Sequence, residues 1–388
     1  MLQTLTKKTP LAWLLLTKQK ARLAVAIAGI AFADILMFVQ MGFQGALFDA
    51  ATKPYRELDA DLVIANPQFQ TLFAVRSTPR ERLYQAAGVE GVESVSPLYI
   101  ASAQWRNPET LQSRTILVWG FDPGSPVFQS TEINQNLDQI KPLNQVLFDR
   151  AGRPEYGAIA QTFTENGPFD AQLSNKQVQV SGVFTMGSSF AADGNVVVSD
   201  STFLNLFPER TPDQIEVGLI RLVPGADVET VRQQIDAILP EDVMVLTPEG
   251  FADIEQGYWA NGTGIGFIFG LGTIIGFIVG IVIVYQILYS DVSDHLPEFA
   301  TLKAMGYSDR YLLMVLMQES LILALVGFVP SLLLATGLYQ VVYAATLLPI
   351  GMKADRAIAV LLLTVIMCVA SGAVAMRKLR SADPADIF

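Results

Sequence analysis

Residues 295–309, His-Leu-Pro-Glu-Phe-Ala-Thr-Leu-Lys-Ala-Met-Gly-Tyr-Ser-Asp, lie between two long apolar runs, and the rest of the chain is read outward from them. Pro297 suits the first turn of a helix, where its missing N–H would have had no acceptor, and Glu298 sets a negative charge at the positive end of the dipole. Gly306 supplies the residue past the helix end, since glycine enters the left-handed region without a Cβ penalty, and Ser308 offers the N-cap of a following helix. The segment therefore predicts a helix of about two to three turns. Phe299, Leu302 and Met305 form its apolar stripe at i, i+3 and i+6, with Glu298, Thr301 and Lys303 on other sides. Such a stripe needs a covering surface. The spacing alone also fits an interfacial helix lying on lipid.

The chain of 388 residues is 51% hydrophobic and only 16% charged, with a mean hydropathy of +0.38, which is too apolar for an ordinary soluble protein. A hydrocarbon core of ~30 Å takes about 20 apolar residues to cross. Four runs qualify: Leu23 to Met41, Ile265 to Leu288, Leu312 to Leu334 and Ala357 to Met376. One run, a long stretch without any, and then three in succession is a 1+3 topology framing one large extramembrane domain. Lys7, Lys8, Lys18, Lys20 and Arg22 before the first run, and Arg377, Lys378 and Arg380 after the last, place both termini in the cytoplasm. Lys353 and Arg356 argue the other way and are outvoted. The first run outlasts a secretory h-region and lacks a small-residue cleavage site, so it reads as a retained anchor.

The expected divisions are an interfacial segment at 1–22, a first span and start of a stalk at 23–45, and an exported mixed α/β domain with stalk helices at 46–262. A second span follows at 263–290, the short helix at 291–310, a third span at 311–340, a short outer loop at 341–356, a fourth span at 357–376 and a tail at 377–388. Residues 47–260 carry 14 Lys and Arg against 28 Asp and Glu, a net of −14 within a chain total of −11, so the exported domain is acidic and repels nucleic-acid phosphates. Within it, residues 61–65, 115–120, 176–184 and 195–199 read as strands, and 79–87 and 227–239 as helices. Residues 120–175, rich in Asn, Gln, Pro and Gly, are expected to form an inserted or mobile subdomain.

Inside the spans, Asp34 and Glu319 are carboxyls at membrane depth with no basic neighbour in the spans, open to a gating or proton-sensitive role and equally to a structural one. Gly266, Gly270, Gly272, Gly276 and Gly280 form a flat ridge for close helix approach, assigned to a dimer axis in preference to packing within one chain. Catalytic chemistry is absent by motif. The single histidine, His295, has no second His or Cys for a metal, the single cysteine, Cys368, lies mid-span, and no Gly-x-x-x-x-Gly-Lys-[Ser/Thr] or Gly-x-Ser-x-Gly occurs. No catalytic residue, metal or bound cofactor is expected in this chain.

Glu298-Phe-Ala-Thr-Leu-Lys-Ala-Met-Gly306 resembles the E-[IF]-[GA]-x-[LR]-[KR]-A-[ML]-G segment of permeases of the MacB/FtsX/LolC type. Gly91 to Pro97 and Val180 to Phe184 resemble the MacB periplasmic core, and the tail 376–388 resembles the short basic tail of the same permeases. Ala31 to Phe38 and the end Ala382-Asp-Pro-Ala-Asp-Ile-Phe388 are similar to the DevC branch, the permease of the cyanobacterial heterocyst glycolipid exporter. The resemblance implies a type VII ABC permease of the inner membrane, with Pro297, Glu298, Phe299, Leu302, Lys303, Met305 and Gly306 as the ATPase-coupling segment. It further implies a homodimer, a separate ABC ATPase holding ATP and Mg, a periplasmic membrane-fusion adaptor, a TolC-like outer-membrane channel, and membrane lipid or glycolipid as cargo moved by mechanotransmission. Rival readings are a lipoprotein-extracting or cell-wall-hydrolase-regulating complex, and a membrane sensor with a ligand-binding exported domain.

Overall fold

The computed structural model describes residues 20–189, 192–346 and 348–381. The interfacial segment through residue 19, the side chain of Phe299 and the end of the tail lie outside the described residues. The chain divides into two compact units, Leu47–Thr263 and the remainder.

Helix α1 (Lys20–Arg56) runs from one unit into the next, with Pro54 confined to its last turn. The α/β unit then follows in the order β1 (Leu62–Ala65), β2 (Thr78–Pro79), α2 (Arg80–Ala86), β3 (Val92–Arg106), β4 (Ser113–Phe121) and α3 (Thr131–Gln135). Next come β5 (Gln145–Asp149), α4 (Ile159–Asn166), β6 (Phe169–Leu173), β7 (Lys176–Phe184), β8 (Asn195–Ser199) and α5 (Asp200–Leu206). It closes with β9 (Gln214–Ile215), β10 (Val217–Leu222), α6 (Val228–Ile238), β11 (Met244–Leu246) and α7 (Pro248–Gly257). The helix starts are chemically marked: Asp227 accepts from Thr230 N at 2.9 Å, and Thr247 accepts from Gly250 N at 3.1 Å just ahead of Pro248.

Among the described residues, β2 and β9 pair separately and the other nine strands form one sheet, in the order β11-β1-β10-β3-β4-β8-β5-β7-β6. Its first four strands, all antiparallel, are linked β1-α2-β3 and β10-α6-β11, a split β-α-β repeat of ferredoxin-like arrangement with β4 to β9 inserted between the halves. The inserted strands curl back on the same strand: Trp105 and Arg106 at the end of β3 pair with Leu173 and Gln172 of β6, closing the ring β3-β4-β8-β5-β7-β6. Closure leaves no open edge in that half.

Alternate residues of the strands feed two separate cores. Leu62 and Ile64, Ile116 and Val118, and Val196 and Val198 enter one core together with Leu83 of α2 and Val231 and Ile235 of α6. Val63, Leu117, Trp119 and Val197 enter the other with Tyr55, Phe128 and Phe251. A sheet buried on both faces has no polar face to show, which is why its strands read as continuous apolar runs. Residues 120–175 belong to the insertion between the two halves, and only the mobile alternative is corrected: β5 sits between β8 and β7 in the middle of the ring, with Val146 and Leu147 fully buried.

The second unit contains α1 up to Ala46, then α8 (Gly264–Asp294), α9 (Leu296–Ala304), α10 (Asp309–Thr346) and α11 (Ala354–Ser381). Helices α1, α8, α10 and α11 are each long and apolar enough to cross a membrane. One core joins Ala26, Ile30 and Ala33 to Val284, Leu288, Leu316 and Met367, and a second joins Phe38 to Phe328, Ala335 and Val360.

Part of the glycine ridge is used inside the chain. A Cβ on Gly272 would meet Gln40, one on Gly276 would lie 3.3 Å from Met37 Cγ, and one on Gly280 would meet Met367 Sδ and Ala33. These three glycines seat α8 against α1 and α11, so the dimer axis assigned to them from the sequence gives way to packing within one chain. Nothing lies within 4 Å of a Cβ at Gly270, and Gly266 is half-buried.

Candidate functional site

The short helix α9 is held at both ends by backbone geometry. His295 stands at its N-cap with Pro297 in the first turn. At the other end Tyr307 N donates to Leu302 O at 3.1 Å, Gly306 N donates to Lys303 O at 2.9 Å, and Gly306 takes φ 95°. That pair of bonds is a Schellman closure, which a glycine in the left-handed region makes without strain. Ser308 then caps α10, its Oγ accepting from Tyr311 N at 3.4 Å. The fifteen residues first quoted thus form one fixed bracket between α8 and α10.

The apolar stripe of α9 is split by direction. Leu302 is half-buried and packs with Leu296 against the core of Val292, Leu312 and Leu316. Met305 is 63% exposed. Beyond the glycine, Tyr307 and Tyr311 are exposed and pack together with ring centroids 4.8 Å apart and planes tilted by 38°, continuing the outward surface that Met305 begins. Sequence spacing grouped Leu302 with Met305 and left out the two tyrosines, because periodicity identifies a face without saying what it faces.

At the α8–α9 junction a polar group is assembled from three helices. Arg22 of α1 contacts Asp294 and lies 3.7 Å from Asp291 Oδ1. His295 Nδ1 is 3.1 Å from the Asp291 carbonyl oxygen and 3.5 Å from its Oδ1, and because both can only accept, Nδ1 carries a hydrogen. Glu319 of α10 is buried beside Asp291. Nothing in the sequence brought Arg22, Asp291 and Glu319 together; their separation along the chain hides the cluster.

Asp34 is fully buried and held by two hydroxyls. Thr364 Oγ1 of α11 donates to Oδ1 at 2.7 Å, and Ser331 Oγ of α10 donates to Oδ2 at 3.0 Å, so one carboxyl ties three helices. Single hydroxyls within apolar runs give no pattern, and neither partner is legible in sequence. An amide at this position offers one acceptor and turns an N–H toward the second hydroxyl. Asp34→Asn is therefore expected to assemble normally with a stability cost of about 1 kcal/mol, read by thermal melting in detergent, and to transport normally. Folded Asp34→Asn protein that has lost transport would instead assign the residue to gating.

Arg356, which argued against the orientation in sequence, is an internal packing group. It is buried, its guanidinium lies 5.5 Å over the Tyr339 ring, and Nη1 donates to Gly351 O at 2.8 Å. In the α/β unit the buried carboxyls likewise serve the fold. Asp149 accepts from Met186 N at 3.0 Å, Gly187 N at 2.7 Å and Asn195 Nδ2 at 2.8 Å. Glu216 accepts from Ile100 N at 3.1 Å and pairs with Arg210 at 2.9 Å, while burial pushes its carboxyl above the ordinary range. Among the described residues no group of three or more His, Cys, Asp or Glu could hold a metal.

Comparison with known proteins falls on both units. Residues 264–384 match the FtsX-like permease C-terminal family, and residues 23–238 match the MacB-like periplasmic core domain. Among solved structures the chain is similar to the periplasmic region of MacB from Actinobacillus actinomycetemcomitans, at 13% identity and TM-score 0.34 over 53% of this chain and 95% of that one. It is also similar to the extracellular domain of the noncanonic ABC-type transporter YknZ from Gram-positive bacteria, at 13% identity and TM-score 0.30 over 48% and 99%. No curated protein matches it. With the periplasmic-core match covering more than half of the chain and the permease match taking in α8 to α11, the chain belongs to the MacB/FtsX-type permeases, the membrane components of ABC transporters.

Proposed function

We propose that this chain is the permease subunit of an ATP-driven export complex, with both termini and α9 in the cytoplasm, the α/β unit in the periplasm, and the 1+3 arrangement of a type VII permease. The observation that carries the reading is α9 itself. It is locked to α8 and α10 by its caps, and it turns Leu302 inward while leaving Met305, Tyr307 and Tyr311 outward. A helix fixed in this way moves with the spans when a partner pushes on its outer side. The partner is a separate ABC ATPase, which holds the ATP and Mg. In this scheme two permease copies pass ATPase closure to their periplasmic units, which drive cargo into a membrane-fusion adaptor and a TolC-like outer-membrane channel. A lipidic cargo, glycolipid by the resemblance to the DevC branch, is the class assigned.

Gentle detergent extraction from native membranes tests the reading. An ATPase and a periplasmic adaptor are expected to copurify with the chain. Recovery of the chain alone would favour the sensor alternative and overturn the exporter.

A further inference from the structure

Among the described residues, the polar group at the α8–α9 junction leaves three carboxyl oxygens and one guanidinium nitrogen, Arg22 Nη1, buried without a hydrogen-bond partner. Glu319 is 1% exposed, and neither of its oxygens has a hydrogen-bond donor; Asp291, 6% exposed, leaves Oδ2 in the same state. The two carboxyls are close enough to act on each other electrostatically. Among the described residues the charged groups in reach are Arg22 of α1, which lies 3.7 Å from Asp291 Oδ1 and contacts Asp294, and His295 at the head of α9, 3.5 Å from Asp291 Oδ1. The remaining helix, α11, carries no charged side chain between Ala357 and Ala375, its one titratable group there being the Cys368 thiol.

Arg22 offsets the charge of Asp291 and Asp294, but no ion pair reaches Glu319, so a second ionised carboxylate beside Asp291 and out of water would be repelled strongly, because the repulsion scales inversely with the low local dielectric. Neutralising Glu319 or Asp291 converts the repulsion into an O–H···O hydrogen bond and supplies the donor that Asp291 Oδ2 and Glu319 lack. We propose that one proton is bound between Asp291 Oδ2 and Glu319, joining the last turn of α8 to α10 directly beside the start of α9. The proton belongs to the pair and not to either residue. Arg22 and His295 are positioning groups on the Oδ1 side of Asp291 and so favour the proton at Oδ2.

Infrared spectroscopy of the full chain in lipid nanodiscs tests this, in an Asp34→Asn background that removes the other fully buried carboxyl of the spans. At neutral pH a protonated-carboxyl C=O band is expected, shifting when glutamate or aspartate is isotopically labelled, and lost in Glu319→Gln and in Asp291→Asn. Glu216 and Glu255 of the α/β unit are also buried glutamates, so the label sorts the band by residue type and the two variants, each changing one member of the pair, assign it. Absence of the band, or its survival in both Glu319→Gln and Asp291→Asn, overturns the proposal. An absent band together with a melting temperature raised by added sodium would assign the site to a metal cation and overturn it as well.

Discussion

Gly280→Leu is expected to abolish recovery of folded protein, the largest effect of any single substitution within the spans. At Gly280, α8 meets α11 through Met367 and α1 through Ala33, with Ala33 Cβ only 2.9 Å from where a Cβ would stand. A leucine has no free space there. Overpacking a close-packed core costs about 1–3 kcal/mol where neighbours can shift, and more where, as here, two helices would have to move. The measurement is the monodisperse fraction on size-exclusion chromatography after detergent extraction. Gly270→Leu is the control, since nothing lies within 4 Å of its Cβ, and it is expected to behave like the parent. Equal recovery of the two variants would place the ridge on some other surface.

Removing the outward surface of α9 is expected to separate the permease from its ATPase. Met305→Ala with Tyr307→Ala deletes two exposed apolar anchors, each worth on the order of 1–3 kcal/mol at an interface centre, so association should fall by about a hundredfold or more. The fold should survive, because Tyr307 contributes to the helix end through its backbone N–H and not its ring. Leu302→Ala is expected to act differently: its side chain packs inward, so it should lower the melting temperature while leaving bound ATPase per folded permease unchanged. ATPase copurification and stimulated ATP hydrolysis read both. If Leu302→Ala strips the ATPase and the Met305–Tyr307 pair does not, α9 presents its opposite side to the partner.

The contrast between Leu302 and Met305 shows where sequence reasoning stops. Caps are local chemistry, so Pro297, Gly306 and Ser308 delimited α9 to within a residue or two of Leu296–Ala304. Length and apolarity are likewise local, and the four long helices followed from them. The strand at 195–199 was legible because burial on both faces leaves three consecutive valines, and that at 176–184 because Val178 and Val180 alternate with polar residues. β5 and β6 were not. Gln145–Asp149 holds one β-branched residue and Phe169–Leu173 none, and their strand identity comes from partners in β7, β8 and β3 that no window of sequence contains. The same non-locality hid Ser331 and Thr364 from Asp34, and Arg22 from Asp291.

Strand β3 carries a mechanical implication. Its 15 residues are shared, Val92 to Leu98 pairing with β10 in the split repeat and Tyr99 to Arg106 with β4 in the ring. No linker joins the two halves; they have a common beam. Along it the pairing passes directly from β10 to β4 at the step from Leu98 to Tyr99, so the two halves are joined by continuous extended backbone. Within the α/β unit, the repeat and the ring should therefore move as one piece and not about a flexible linker.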